Sequence, residues 1–267
     1  MSQPKIKVKQ QDAATLAAGY SKTFRIVEIA SIITFWALTL ALAVKVSAHF
    51  SAHPVLILAA VFFGYVAADF VSGLVHWLGD TWGSTDMPIL GAALIRPFRE
   101  HHVDEKAITR HDYIETNGAN CMISVPVAAM ALFVPIDPAS NAYLLQLFGV
   151  TGMGAMIFWV MMTNQFHKWS HMDTPPGWVA LLQRWHVILP VGHHQIHHTA
   201  PFEKYYCITC GWLNWPLNKM GFYRHAERLI TAVTGALPRR DDIGDEAALA
   251  IDPTGQTPPA ASKPQAL

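Results

Sequence analysis

Charge is scarce in this 267-residue chain: 14% of its residues are charged, 19 acidic against 19 basic, while 52% are hydrophobic. About a quarter charged is usual for a soluble domain, so an ordinary soluble enzyme is a poor match. Cysteine is equally scarce. Cys121, Cys207 and Cys210 cannot build a disulfide framework, and the last two form a lone C-x-x-C read as spectator thiols. No internal repeat is present and no nucleic-acid partner is expected. Nor does any Glu-x-x-His occur, the pairing by which ferritin-like bundles hold two irons.

Long apolar runs are abundant instead. A hydrocarbon core about 30 Å thick requires roughly 20 mostly apolar helical residues, and residues 26–48, 55–78, 118–136 and 142–163 come close. They predict an all-α integral membrane protein with about four transmembrane helices. Glu28 and Lys45 lie near the ends of the first run, Asp69 lies inside the second and Pro126 inside the third, the shortest. The connectors at 49–54 and 137–141 contain no Lys or Arg. Lys5, Lys7, Lys9, Lys22, Arg25, Arg96, Arg99, Lys106, Arg110 and every basic residue from Lys168 onward fall on the other side. By the positive-inside rule both termini and the central loop are expected in the cytoplasm; Lys45, the exception, can snorkel from a helix end. The first run follows 25 mostly polar residues and reads as an uncleaved anchor rather than a signal peptide. The expected organisation is a cytoplasmic segment at 1–25, a membrane-embedded domain at 26–236, and a disordered tail, rich in Pro and Ala, at 237–267.

Histidine carries the chemistry. Of 14 in the chain, His49 and His53 sit in the outer connector and His225 near the carboxyl end. The others, His76, His101, His102, His111, His167, His171, His186, His193, His194, His197 and His198, lie on or beside the predicted cytoplasmic face. In "HKWSH" the two imidazoles stand one helical turn apart, and "GHHQIHH" offers pairs three and four apart, so each stretch can aim two rings at one ion. Several such clusters on one side of a membrane point to a histidine-rich helical cap that binds metal. One zinc ion would need only three or four ligands, so eight or more clustered histidines suggest two ions. Imidazole suits iron, copper, nickel or zinc, and redox-active iron accounts for a pair held by so few carboxylates. Asp69, Gly73, His76 and Asp80 share one helical face. An intramembrane Asp is a functional suspect by default, with a structural hydrogen bond the equal alternative for Asp69.

"HKWSH" and "HQIHH" match the H-x-x-x-H and H-x-x-H-H boxes of the membrane di-iron desaturases and hydroxylases. With "DFVSGLVHWLGDTWGS", "IRPFREHH", "ITRHDYIETNGAN", "TNQFHKWSH" and "WHVILPVGHHQIHHTAPFEKYYCITCGWLN", the stretch from about 67 to 236 resembles the plasmanylethanolamine desaturase family of the Kua/CarF type. The resemblance implies an oxidoreductase that turns 1-O-alkyl-2-acyl-glycerophosphoethanolamine into the vinyl ether of a plasmalogen. It further implies two iron ions, dioxygen as co-substrate, a phospholipid substrate, and a small cytochrome or ferredoxin with its reductase as electron donor. By matching the boxes, metal ligation falls to His76, His101, His102, His167, His171, His194, His197 and His198. His111 and His193 are reserve ligands and His186 a supporting residue. Asp80 and Asn164 are candidates to orient imidazoles or bridge through water, or ordinary helix-end residues. Arg96 and Arg99 are candidates for the lipid phosphate. "GWVALLQRWHVILP" is a candidate surface segment over the substrate groove. Ordinary acyl desaturases place a histidine box at the end of the second span, where this chain has His76 and Asp80, so the ligand count is left open. A related phospholipid acyl-chain desaturase and a lipid hydroxylase share the boxes, and a haem-binding or metal-transport protein is the non-enzymatic alternative.

Overall fold

The computed structural model describes residues 20–84, 87–88, 91, 95–199 and 202–238. Most of the expected N-terminal segment and of the tail lie outside the described residues. Four helices are long and apolar enough to cross a membrane: α1 (Lys22–Ser47), α2 (Pro54–Thr81), α5 (Tyr113–Phe133) and α6 (Tyr143–Ser170). Short helices fill the connections: α3 (Arg96–Val103), α4 (Ala107–Arg110), α7 (Gly177–Arg184), α8 (Val191–Gln195) and α9 (Asn214–Lys219). The amphipathic α10 (Phe222–Thr234) follows, entered and left through the left-handed glycines Gly221 and Gly235. No strand appears among the described residues.

Local chemistry sets the helix ends. The Ser21 hydroxyl accepts the Phe24 N–H at the start of α1, and Pro54 opens α2, where its missing N–H costs nothing. The Asp112 carboxylate accepts the N–H groups of Ile114 and Glu115. That cap starts α5 at Tyr113, five residues before the expected apolar run. At the far end of α5 the Lys45 ammonium donates to the Leu132 and Val134 carbonyls at 2.8 and 2.5 Å. The one basic residue that departed from the charge asymmetry is thus a cap on a neighbouring helix.

Contacts at both ends fix the direction of packing. Arg25 meets Asp112 at 2.6 Å at one end of the α1–α5 pair, and Lys45 meets the last carbonyls of α5 at the other. His53 and Tyr143 meet edge to face where α2 and α6 begin, and His49 bonds the Tyr143 hydroxyl at 2.9 Å. The carboxyl ends of α2 and α6 therefore emerge together, beside the amino ends of α1 and α5. Where α2 crosses α6, a Cβ on Gly64 would lie 2.4 Å from the Gly152 carbonyl oxygen and 2.7 Å from Ala155 Cβ, so only a residue without one permits this approach. Phe35, Leu42, Ala128, Val150 and Met161 are buried between the helices, while Ile26, Leu40, Val55, Phe62, Phe133 and Leu145 face outward, as a lipid solvent requires.

Candidate metal centre

Helices of 28 residues rise about 42 Å, well beyond the hydrocarbon thickness. The last turns of α2 and α6, carrying His76 and Asp80 on one and His167 and His171 on the other, have the length to stand clear of it. An extended strap at residues 203–213 lies along α2 and is stitched to its inner face. The Asp69 carboxylate accepts the backbone N–H groups of Cys210, Gly211 and Leu213 at 2.9, 2.8 and 3.0 Å, and the Ser72 hydroxyl accepts that of Ile208 at 3.1 Å. One turn further, His76 Nδ1 donates to the Tyr206 carbonyl at 3.0 Å, while His197 Nδ1 donates to the Lys204 carbonyl. The polar face of α2 seen in the sequence is thus a docking strip that ends in His76, and Asp69 is its clamp. Each Nδ1 bond turns the opposite nitrogen of its ring inward.

The inward nitrogens form two groups. His101, His167, His171, His194 and His198 converge in one; His76, Asp80, His102 and His197 form the other, and within each the donor atoms lie within 4.8 Å of one another. In the first, His194 Nε2 lies 2.8, 2.9 and 3.0 Å from the Nε2 atoms of His167, His171 and His198, and His167 Nε2 lies 3.0 Å from that of His101. Neutral imidazoles cannot all share protons across such a cluster, because each ring has a single N–H. Donors about 2.1 Å from a common ion and at right angles would be about 3.0 Å apart. The second group is wider: Asp80 Oδ2 lies 3.4 to 3.6 Å from the Nε2 atoms of His76, His102 and His197, close to the edge of a tetrahedron of the same radius. His76 Nε2 is buried and has no hydrogen bond, the state expected of a nitrogen that serves a cation. The arrangement is compatible with a di-iron site of one all-imidazole group and one carboxylate-bearing group.

Burial and the neighbouring imidazoles hold His101, His194 and His198 below the ordinary histidine range, and burial reinforced by the Lys106 ammonium pushes His171 down to about 4. Neutral rings are what a metal ligand must be. Metal-depleted protein is therefore expected to keep this contribution to stability in full above the unfolded value of 6.5 and to lose it as pH falls from there towards about 4. Thermal unfolding of chelator-treated protein in detergent, followed from about pH 8 downward, measures it. A flat profile across that window would contradict it.

The remaining sequence candidates are placed elsewhere. His193, one residue from His194 and so turned roughly 100° away, packs against Tyr205 at 4.8 Å. His186 is exposed on a left-handed turn. His111 stands 3.7 Å from Glu115, also outside both groups. Asn164 donates to the Thr116 carbonyl and to Asn120 Oδ1 at 3.0 and 3.3 Å, tying α6 to α5 rather than orienting an imidazole. Arg96 is buried and pairs with Glu100 at 3.1 Å, while the Arg99 side chain lies outside the described residues. Cys207 and Cys210 are buried free thiols, the former against Tyr223. Among the described residues the imidazoles close on one another, with Nε2 atoms as near as 2.8 Å, too close for a haem between them. Asp69, saturated by three N–H groups, is unfit as a conduction site.

A cavity runs from the histidines into the bundle. His101 and His167 form part of its wall, Val71, Val75, Ile123 and Val160 line its deeper part, and Glu28, Arg96, Glu100, His111 and Glu115 ring its outer part. The sequence flagged Glu28 only as a charge near a span end, and Glu115 lies within "ITRHDYIETNGAN" without being singled out from it; hydropathy interrupted at Glu28 was the available signal.

The lipid desaturase domain matches residues 65–241. The chain is 61% identical over 245 residues to plasmanylethanolamine desaturase of Myxococcus xanthus, covering 92% of this chain and 85% of that protein. It is 52% identical over 198 residues to plasmanylethanolamine desaturase 1 of Mus musculus, covering 72% and 71%. Against the chloroplastic fatty acid desaturase 4 of Arabidopsis thaliana the identity is 30% over 178 residues, 66% of this chain and 52% of the other. No solved structure matches.

Proposed function

Because the chain belongs to the lipid desaturase family, we propose that it is a plasmanylethanolamine desaturase acting from the cytoplasmic face of a membrane. The observation that carries this reading is the juxtaposition of two candidate ligand groups with an apolar-walled cavity at the end of a bundle of four membrane-length helices. The closer relatives are named for that activity and the chloroplast desaturase stands at half the identity of the first, which favours an ether lipid over an acyl chain.

An unactivated methylene has no acidic hydrogen for a side chain to remove, and a bound pair of irons would supply the dioxygen-dependent one-electron chemistry that its C–H bonds demand. The chain's own residues hold and shelter. His76, His101, His102, His167, His171, His194, His197, His198 and Asp80 would be the ligands, oriented through the Tyr206 and Lys204 carbonyls. Val71, Val75, Ile123 and Val160 exclude water from the alkyl chain. Arg96 at the cavity's outer part suits the phosphate, with Arg99 a second candidate. Overall, two hydrogens leave the first two alkyl carbons, and with two protons and two electrons from a cytochrome or ferredoxin they reduce dioxygen to two waters. Exposed Trp178, Leu181 and Trp185 on and just after α7 suit a helix that lies at the membrane surface.

Membranes containing the iron-loaded protein, given reductant, oxygen and labelled 1-O-alkyl-2-acyl-glycerophosphoethanolamine, are expected to form an acid-labile vinyl ether. A hydroxylated lipid, or a double bond confined to the acyl chain, would reassign the activity to a relative's.

A further inference from the structure

The outer part of the cavity carries charge of both signs, and its pairing is uneven. Arg25 is engaged by Asp112 at 2.6 Å and Arg96 by Glu100 at 3.1 Å. Two cavity-lining carboxylates have no Lys or Arg within ion-pair distance among the described residues. Glu28, 1% exposed, accepts only the Tyr20 hydroxyl. Glu115 faces His111 at 3.7 Å, a ring held neutral chiefly by burial, with a pKa pushed down to about 4. Glu115 sits three residues after the cap residue Asp112, where a glutamate ordinarily folds back onto the cap's own N–H. Here it makes no such bond and lines the cavity instead. The Glu115 charge acts on Glu28 by repulsion, and the Arg96 and Arg25 charges reach both carboxylates without bonding either, so a cation at hydrogen-bond distance would add an attraction that neither now has.

We propose that Glu115, backed by Glu28, receives the ammonium group of an ethanolamine headgroup while the attached chain runs down the apolar wall past His101 and His167. The proposal rests on the reading of the chain as a plasmanylethanolamine desaturase and names the part of the site that selects the headgroup. A primary ammonium offers three N–H donors and no acceptor, which two carboxylates can share. A choline group has no N–H to give, and a phosphoglycerol headgroup brings no positive charge at all. With Arg96 shared between Glu100 and the adjoining phosphate, the site would have the order of charges of a zwitterion.

The test uses the full-length purified protein with 1-O-alkyl-2-acyl lipids bearing phosphoethanolamine, phosphocholine or phosphoglycerol, reading equilibrium binding and, separately, vinyl ether formation. The wild type is expected to bind the ethanolamine lipid about tenfold or more tightly than the phosphoglycerol lipid, as a charge-assisted hydrogen bond supports. Glu115→Gln is expected to erase that preference, with affinity for phosphoglycerol equal or higher, and to raise KM for the ethanolamine lipid while kcat changes little; Glu115→Asp restores part of it. Glu28→Gln gives the same change in smaller degree and serves if the first variant does not fold. An unselective wild type overturns the proposal. So does a Glu115→Gln protein that keeps the wild-type preference, or one that weakens for all three lipids alike. Should the wild type convert no ether lipid, the activity reading fails, while the binding preference and its loss in the variant still decide the headgroup question.

Discussion

Replacing His194 by alanine is expected to reduce vinyl ether formation to background and to strip the five-histidine group of its ion, while the adjacent His193→Ala keeps both. His194 Nε2 is the node of that group, within 2.8 to 3.0 Å of three other Nε2 atoms, and its ring is 1% exposed. Removing an outer partner of a metal ligand already costs about 10- to 100-fold in affinity or activity. Loss of the central donor is expected to exceed that, because no neighbouring side chain can move into a position packed on every side by other imidazoles. His193 differs from it in nothing that composition records, yet it faces Tyr205. Iron per purified chain, measured with product yield for both variants, decides the matter. Full metal and activity in His194→Ala, or their loss in His193→Ala, would dismantle the ligand assignment.

Asp69→Asn is expected to cost about 3 kcal/mol or more and to lower the yield of folded protein severely, although Asp69 touches no proposed ligand. Its two oxygens accept three backbone N–H bonds from the strap, and hydrogen bonds to a charged group contribute about 1.5–3 kcal/mol each. Asparagine keeps one acceptor oxygen, enough for Cys210 and Gly211. Its amide nitrogen would then oppose the Leu213 N–H, donor against donor. The strap also carries Tyr206 and Lys204, whose carbonyls orient His76 and His197, so any folded fraction is expected to hold the second group's ion loosely. Thermal unfolding of the variant in detergent and its iron stoichiometry measure the two effects. Wild-type stability would show that the clamp is dispensable.

How far the site was legible differs from residue to residue. The H-x-x-x-H pair on α6 was readable because helical periodicity alone places His167 and His171 on one face, and because a 28-residue helix must outrun the hydrocarbon. "GHHQIHH" was readable as a metal-binding stretch but not in its partition. Helix α8 carries His194 and stops at Gln195, and the turn after it sends His198 to the same group as His194 and His197 to the other. Asp80 stood beside Asn164 as an equal candidate, and only the packing separates them, one carboxylate turned among three imidazoles and one amide used to tie two helices. The equal standing of function and structure at Asp69 was likewise decided by the strap, 141 to 144 residues away along the chain.

Hydropathy, charge asymmetry and histidine spacing by themselves determined that this is a helical membrane protein with a metal-binding face, because each is a local property that repeats along one helix. Which rings converge, which carboxylate stands among them and which charges line the cavity depend on contacts between distant segments. Those were settled only by the strap, the caps and the close helix crossings, since a side chain's direction in space is set by what it packs against rather than by its neighbours in the chain.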